Sequence, residues 1–278
     1  MVKNEMIVIT LYNVSDMNSP IKIIFTDIDW TLYDHSFSPS KFDKVSLHYL
    51  KKLQKKGVLV FFCTARPYHS VKRIHILDLF KPDGMILANG GLIIYKDEII
   101  YRPLMDQQHF EDLCDLANKH EVNVEGIRSY DCFIINNNTK HVVELFETYP
   151  EDIPPIEDYH NQEVIGATLF APKELDEIIR PLMPKDFYYF RYHDYGVDIA
   201  SIPHVKGESV KFVLDYLKIS KENAVAIGDD LQDISMFSEV KYGIAMGNAK
   251  EEVKKEASHI AESVTHHGVK KILKKLMK

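Results

Sequence analysis

Asp27 and Asp29 stand two positions apart, directly after the apolar run IKIIFT (21–26), and are the first residues in the chain whose types and spacing could do chemistry. On a continuing strand both side chains would point to one face; in a loop curling off the strand one can meet a ligand while the other stands beside it. Two ionised carboxylates this close repel each other, so a site that keeps them needs a cation, a shared proton, or both. Oxygen ligands without His or Cys suit Mg2+, which binds through one or two carboxylates together with phosphate oxygens and water. Asp229, after the run AVAIG (224–228), is the natural third carboxylate, with Asp230 beside it and Asp233 a turn later. A phosphate group accounts for the rest of the set. Thr64, after VLVFFC (58–63), can donate a hydroxyl hydrogen bond to a phosphoryl oxygen, and Lys206 can neutralise charge that the metal leaves uncovered. A carboxylate can take up the phosphoryl group as nucleophile, and its neighbour can protonate the leaving oxygen and deprotonate the attacking water. Taken singly, each residue has a plainer reading: a helix cap, a turn former or a solvated charge. The reading rests on their occurring together.

For these residues to meet, the runs that precede them must be neighbouring strands, because open parallel sheets bind ligands outside the carboxyl ends of their strands. The chain supplies that rhythm. IKIIFT reads as a buried strand, and a helix follows with Ser38 as N-cap, Pro39 at its first position and Gly57 past its end. VLVFFC is the next strand, a helical pattern runs from about Tyr68 to Phe80, and MILA (85–88) is a third strand ending in Asn89-Gly90. This β-α-β-α-β alternation predicts a parallel sheet covered by helices.

After Gly91 the pattern changes to two strands around Lys96-Asp97, a helix over 108–120, a strand-like stretch from Val124 to Leu145 broken by Asn136, Asn137 and Asn138, a proline-interrupted loop at 151–158, and strand, helix, strand to Tyr192. The first rhythm returns from VDIAS (197–201), with a helix from Lys206 to Leu217. The expected organisation is therefore α/β: a Rossmann-like doubly wound parallel sheet core with an inserted α+β cap domain. The divisions are an N-terminal extension (1–20), core (21–102), cap (103–196) and core again (197–278). His109, Arg128, Arg191, His193 and Tyr195 are the cap's candidates, by polarity, for contacting a substrate. The basic helix at the C-terminus is read as a surface helix packed through Val269, Ile272, Leu273 and Leu276.

Composition sets bounds. The 278 residues suit one large domain or two ordinary ones, and 45% hydrophobic with 27% charged residues excludes a wholly disordered chain, a collagen or a coiled-coil rod. Lys+Arg 34 against Asp+Glu 41, a net charge of -7, argues against a nucleic-acid partner. No apolar run approaches a membrane span, so no membrane partner is expected. Cys63, Cys114 and Cys132 are widely spaced, which suggests neither a disulfide framework nor a zinc site and makes a reducing cytoplasm the expected location. P-loop, GxGxxG and nucleophile-elbow motifs are missing, and His266-His267 are not expected to share a metal.

On these residues the chain resembles the haloacid dehalogenase-like hydrolase superfamily, in its Cof-type branch of sugar-phosphate phosphatases with a type IIB cap. Asp27-Ile28-Asp29-Trp30-Thr31 matches the motif DxDx[TV], Thr64 the second motif, Lys206-Gly207 the third and Gly228-Asp229 through Asp233 the fourth, GDxxxD; Asn89-Gly90 also looks like the branch. The resemblance covers about 21–278. It implies that Asp27 is the nucleophile and Asp29 the general acid/base, and that Thr64 and Lys206 hold the phosphoryl group. It further implies that Asp27, the main-chain carbonyl of Asp29 and Asp229 bind Mg2+ with Asp233 in support, and that Asn89 meets the substrate. Arg66, next to Thr64, is read either as a substrate anion contact or as a surface salt bridge. Trp30 and Ala65 stand where the family commonly has Gly, and Gln232 where it commonly has Asn. The expected activity is Mg2+-dependent hydrolysis of a small soluble phosphate ester through an aspartyl-phosphate. Phosphotransfer by a phosphomutase and a non-catalytic phosphate-binding role are the alternatives, and dehalogenation is disfavoured because it has no use for Asp29.

Overall fold

The computed structural model describes residues 21–135, 140–148, 153–183, 185, 187–201 and 205–277; the expected extension at 1–20 lies outside the described residues. Strand β1 (Ile23–Thr26) leads into a ribbon of β2 (Tyr33–Asp34) and β3 (Lys41–Phe42), then helix α1 (Lys44–Gln54). The cap of α1 is Asp43, whose carboxylate accepts from the backbone N–H of Val45 and Ser46. The expected cap at Ser38 is corrected because Lys41 and Phe42 first pair with the ribbon. Next come β4 (Leu59–Cys63), α2 (Tyr68–Arg73), α3 (Ile76–Leu79), β5 (Gly84–Leu87), β6 (Leu92–Tyr95) and β7 (Glu98–Tyr101). The helix expected over 68–80 is split at His75, which takes φ 61°. The β6–β7 turn places both Lys96 and Asp97 at positive φ, as a two-residue hairpin of the mirror-image type requires.

The insertion contains α4 (Gln107–Lys119), β8 (Asn123–Ile127), β9 (Cys132–Ile135), α5 (Lys140–Thr148), β10 (Gly166–Phe170), α6 (Asp176–Ile179), β11 (Phe187–His193) and β12 (Gly196–Ser201). The chain then returns through α7 (Lys206–Leu217), β13 (Ala224–Gly228), α8 (Ile234–Phe237), β14 (Tyr242–Ala245), α9 (Glu251–Glu256), β15 (His259–Ile260) and α10 (Gly268–Leu276). Residues 140–145, the end of the stretch read as strand-like, lie in the helix Lys140–Thr148 because Val142 and Leu145, one turn apart, pack together on Ile134 and Phe170.

The large sheet has eight strands in the order β15-β14-β13-β1-β4-β5-β6-β7. It is parallel from β15 to β5, with β6 and β7 antiparallel at one edge. Its strands are apolar at successive positions because both faces are covered. Ile24, Val60, Phe62 and Val225 pack toward α1, α2 and α10, while Ile23, Phe25, Phe61 and Ala226 pack toward α7 and α8. Val269, Ile272 and Leu273 of α10 are buried in the first of these clusters, so the basic helix is a packed surface element. A second sheet, order β11-β12-β10-β8-β9 and antiparallel throughout, has its own core with α4 and α6. VDIAS (197–201) lies in β12 of this second sheet, so the expected return to the core at 197 is corrected: β12 hydrogen-bonds β10 and β11, and the large fold resumes with α7. Among the described residues no helix is long and apolar enough to cross a membrane. The three cysteines are free and buried.

Candidate active site

In the large sheet β1 lies between β13 and β4, with Thr26 in register with Ile227 and Phe62. The residues that follow these strands therefore leave the sheet at one end, side by side. Asp27 is tied there by its N–H donating to the Ile227 carbonyl (2.9 Å), and Thr64 by its N–H donating to the Ile86 carbonyl (2.9 Å). Carboxylate oxygens of Asp27, Asp229 and Asp233 converge to within 4.8 Å of one another. Lys206, the first residue of α7, reaches the same point: Nζ donates to Asp27 Oδ1 (2.8 Å) and Asp233 Oδ1 (2.7 Å). The other oxygen of Asp233 accepts from the backbone N–H of Asp229 (2.9 Å) and Asp230 (3.1 Å). Asp233 is thus spent on holding the loop and the lysine, while Asp27 and Asp229 each keep carboxylate oxygen that could meet a cation. Thr31 donates to Asp229 Oδ1 (3.3 Å).

Gly207 shows why the lysine has a glycine neighbour. A Cβ there would lie 2.3 Å from the Ser235 carbonyl oxygen and 2.7 Å from its carbon, so the N-terminus of α7 could not seat against the first turn of α8. Gly207→Ala is expected to lower stability by about 1–3 kcal/mol, as overpacking does, and to reduce turnover by shifting Lys206. Urea unfolding compared with the wild type checks the first, and steady-state kinetics the second.

Burial pushes the Asp27 carboxyl up to about 7, with Asp233 and Asp29 adding to the rise and Lys206 opposing it. Burial, then the charges of Asp27 and Asp233, push Asp229 up to about 9. Burial alone would lower Lys206, but Asp233 and Asp27 hold its ammonium well above the ordinary value. Asp29 is the opposite case. Despite burial, Arg66 and His35 hold it well below the usual carboxylate range. The Arg66 guanidinium grips it with two parallel bonds, Nε to Oδ2 (2.7 Å) and Nη2 to Oδ1 (2.9 Å), and donates to the Ser70 hydroxyl through Nη1 (2.6 Å). His35 Nε2 donates to Asp29 Oδ1 (2.7 Å).

Thr64 is buried, and its Oγ1 accepts from the Arg66 N–H (3.1 Å), which leaves its own hydrogen for another acceptor. Arg66 is spent on Asp29 rather than left as a free anion contact. Asn89 is buried at φ 55°, its N–H donates to the Thr64 carbonyl, and its Oδ1 has no hydrogen-bond partner among the described residues. Trp30 takes φ 55°, a region glycine enters without steric cost, with its carbonyl accepting from Asn248 Nδ2 and its ring against His35. Gln232 reaches away from Asp229 and donates to the Tyr188 hydroxyl of the second sheet (3.1 Å). His35 was missed by sequence reasoning, since nothing but the later ribbon turn brings it back to Asp29.

The cap candidates chosen by polarity face elsewhere. His109 lies against Phe187, Arg128 pairs with Glu157 and Asp131, Arg191 pairs with Asp176, His193 accepts from the Tyr195 N–H, and Tyr195 stacks on His141. The second sheet instead meets the site through Tyr188 and through Glu125, whose carboxylate lies 3.4 Å from His69 Nε2 of α2.

The profile of the haloacid dehalogenase-like hydrolase family matches residues 24–273. Phosphoglycolate phosphatase 1 of Saccharolobus solfataricus is 26% identical over 259 residues, covering 93% of this chain and 96% of that protein. The 5-amino-6-(5-phospho-D-ribitylamino)uracil phosphatase YcsE of Bacillus subtilis is 26% identical over 256 residues, covering 91% and 95%. A crystal structure of a protein from Geobacillus kaustophilus HTA426 superposes with TM-score 0.84 at 27% identity, covering 92% of this chain and 98% of that one.

Proposed function

The chain belongs to the haloacid dehalogenase-like hydrolase family, and from that premise we propose that it is a Mg2+-dependent phosphatase of small phosphomonoesters, sugar phosphates among them, working through an aspartyl-phosphate on Asp27. The observation that carries this is the buried Asp27 carboxylate, bonded to Lys206 and set beside Asp229 at the carboxyl end of β1. The relatives' names speak of phosphoglycolate and of a ribitylaminouracil phosphate, both small phosphate esters. Such a substrate calls for neither a nucleic acid nor a membrane, and fits a cytoplasmic enzyme.

The donor set fits Mg2+: hard carboxylate oxygens converge, and burial with mutual repulsion disfavours ionising both Asp27 and Asp229 until a cation arrives. Asp27, Asp229 and the main-chain carbonyl of Asp29 would hold it, and bound there it would screen the phosphoryl oxygens from the attacking carboxylate. An Asp27 oxygen attacks phosphorus and the ester oxygen leaves with a proton from Asp29. Water then attacks the aspartyl-phosphate, Asp29 takes its proton, and orthophosphate departs. Thr64 and Lys206 hold the phosphoryl oxygens. Arg66 and His35 keep Asp29 ionised, the state the second step needs. The first step needs it protonated, so the Arg66 grip must loosen when substrate enters.

Purified protein is expected to hydrolyse an aryl phosphate and members of a sugar-phosphate panel with Mg2+ and to stop with a chelator. Hydrolysis indifferent to chelation, or none across the panel, overturns the reading. Stability carries a second signature. The folded pKa values of Asp27 and Asp229 lie above the ordinary carboxylate value, so between about pH 4 and pH 9 the folded protein binds more protons than the unfolded chain. The contribution of these groups to stability therefore falls as pH rises through that window. Mg2+ must displace those protons to bind, so a fixed Mg2+ concentration is expected to raise Tm more at pH 8 than at pH 6, measured by thermal scans.

A further inference from the structure

The pairings β8–β10, β10–β12 and β12–β11 place Glu125, Thr168, Asp198 and Phe190 in one row across the second sheet. Directly opposed residues share a face. This face is turned to the catalytic loops: Glu125 meets His69 of α2, and Tyr188, two residues from Phe190, accepts from Gln232. The opposite face, with Val124, Leu169, Val197 and Ile199, is closed in the core built with α4. A row with three polar side chains, two of them carboxyls, therefore roofs the strand ends from which Asp27 and Asp229 emerge.

The two carboxyls differ. Glu125 is buried but satisfied: His69, its Nε2 3.4 Å away, holds it below its ordinary value against the effect of burial. Asp198 is partly exposed, its hydrogen-bond partner among the described residues is Thr168 at a long 3.4 Å, and no lysine or arginine among them pairs with it. Burial and then the Glu125 charge push it up to about 7. A carboxyl so placed keeps acceptor capacity that a ligand under this face can use in place of water. Tyr188, on the same face as the Phe190 that opposes Asp198, accepts from Gln232 in the loop after β13, so this face runs from Asp198 toward the phosphoryl end of the site. What reaches Asp198 is then the far end of a leaving group.

We propose that Asp198, with Thr168 and Tyr188, selects the leaving group by accepting hydrogen bonds from its hydroxyls, so that neutral polyol phosphates are preferred and phosphates whose leaving group carries a carboxylate are rejected. This rests on the phosphatase reading above. Hydroxyls complete the bonding that Asp198 lacks. A second carboxylate brought to the same roof would face Asp198 and Glu125 with no cation between them, where like charges oppose ionisation.

The matched pair sorbitol 6-phosphate and 6-phosphogluconate differs only in one terminal carbon and gives the test. The wild type is expected to favour the polyol in kcat/KM by about 10-fold or more, since unpaired polar groups discriminate strongly. Asp198→Asn keeps the shape and removes the charge, so the preference is expected to shrink at least about five-fold by raising kcat/KM for the acid. Thr168→Val, a second variant should the first fold poorly, is expected to weaken the polyol through KM without helping the acid. A wild type that prefers the acid, or an Asp198→Asn ratio unchanged from wild type, overturns the inference while aryl phosphate turnover shows the phosphatase reading intact. Failure with aryl phosphate as well brings both down.

Discussion

Asp27→Asn is expected to lower kcat by at least about 10³-fold, the scale seen when a covalent nucleophile is removed, with hydrolysis of an aryl phosphate as the assay. An amide oxygen cannot take up the phosphoryl group as a carboxylate does, and the Lys206 ammonium loses the charge it faces at 2.8 Å. The fold should not suffer in proportion. Burial already disfavours the ionised Asp27, so a neutral side chain of the same shape relieves a strained charge, and Asp233 still holds the lysine. Unchanged or raised Tm beside lost turnover separates chemistry from folding. Turnover within about tenfold of wild type would remove Asp27 from the nucleophile's role.

Lys206→Met should cost both activity and stability. Methionine keeps the apolar stem of the side chain but leaves Asp27 and Asp233, 6% and 1% exposed, without their shared cation. Removing one partner of a buried ion pair typically costs about 3–5 kcal/mol. Without the lysine Asp27 is ionised at a greater penalty, so its folded pKa, already raised by burial, rises further above the unfolded value. Stability contributed by such groups falls as pH rises, and the deficit relative to wild type is expected to be larger at pH 8 than at pH 5 in urea titrations. An equal deficit at both values would mean that lost packing, not charge, explains it. Activity should fall with it, because the phosphoryl oxygens lose a cation that no metal replaces.

The strands that position the chemistry were legible because each is a short apolar run ending abruptly in polar residues, the pattern of a strand buried on both faces. IKIIFT ahead of Asp27, VLVFFC ahead of Thr64 and AVAIG ahead of Asp229 could be read without a structure. The start of α1 could not. Ser38-Pro39 is a sound local signal for a helix start, but pairing of Lys41 with Asp34 delays the helix to Lys44 under an Asp43 cap. Val142 and Leu145 suit a strand or a helix equally until Ile134 and Phe170 supply the surface they pack on. VDIAS has the composition of a core strand, and only its hydrogen bonds to β10 and β11 assign it to the smaller sheet.

The same division runs through the site. Residue type and local order, read from the sequence, determined which groups could do the chemistry, because nucleophile, base, cation and metal ligand are properties of side chains standing at strand ends. The partners of those groups were decided only in three dimensions. Arg66 and His35 on Asp29, Lys206 between Asp27 and Asp233, Gln232 on Tyr188 and Asp198 in the roof are contacts whose members lie as far as 179 positions apart. Polarity could not show which partners the cap residues take for the same reason: a charged side chain shows that it needs a partner, and only the packing of sheet on sheet shows which face of the strand will find one.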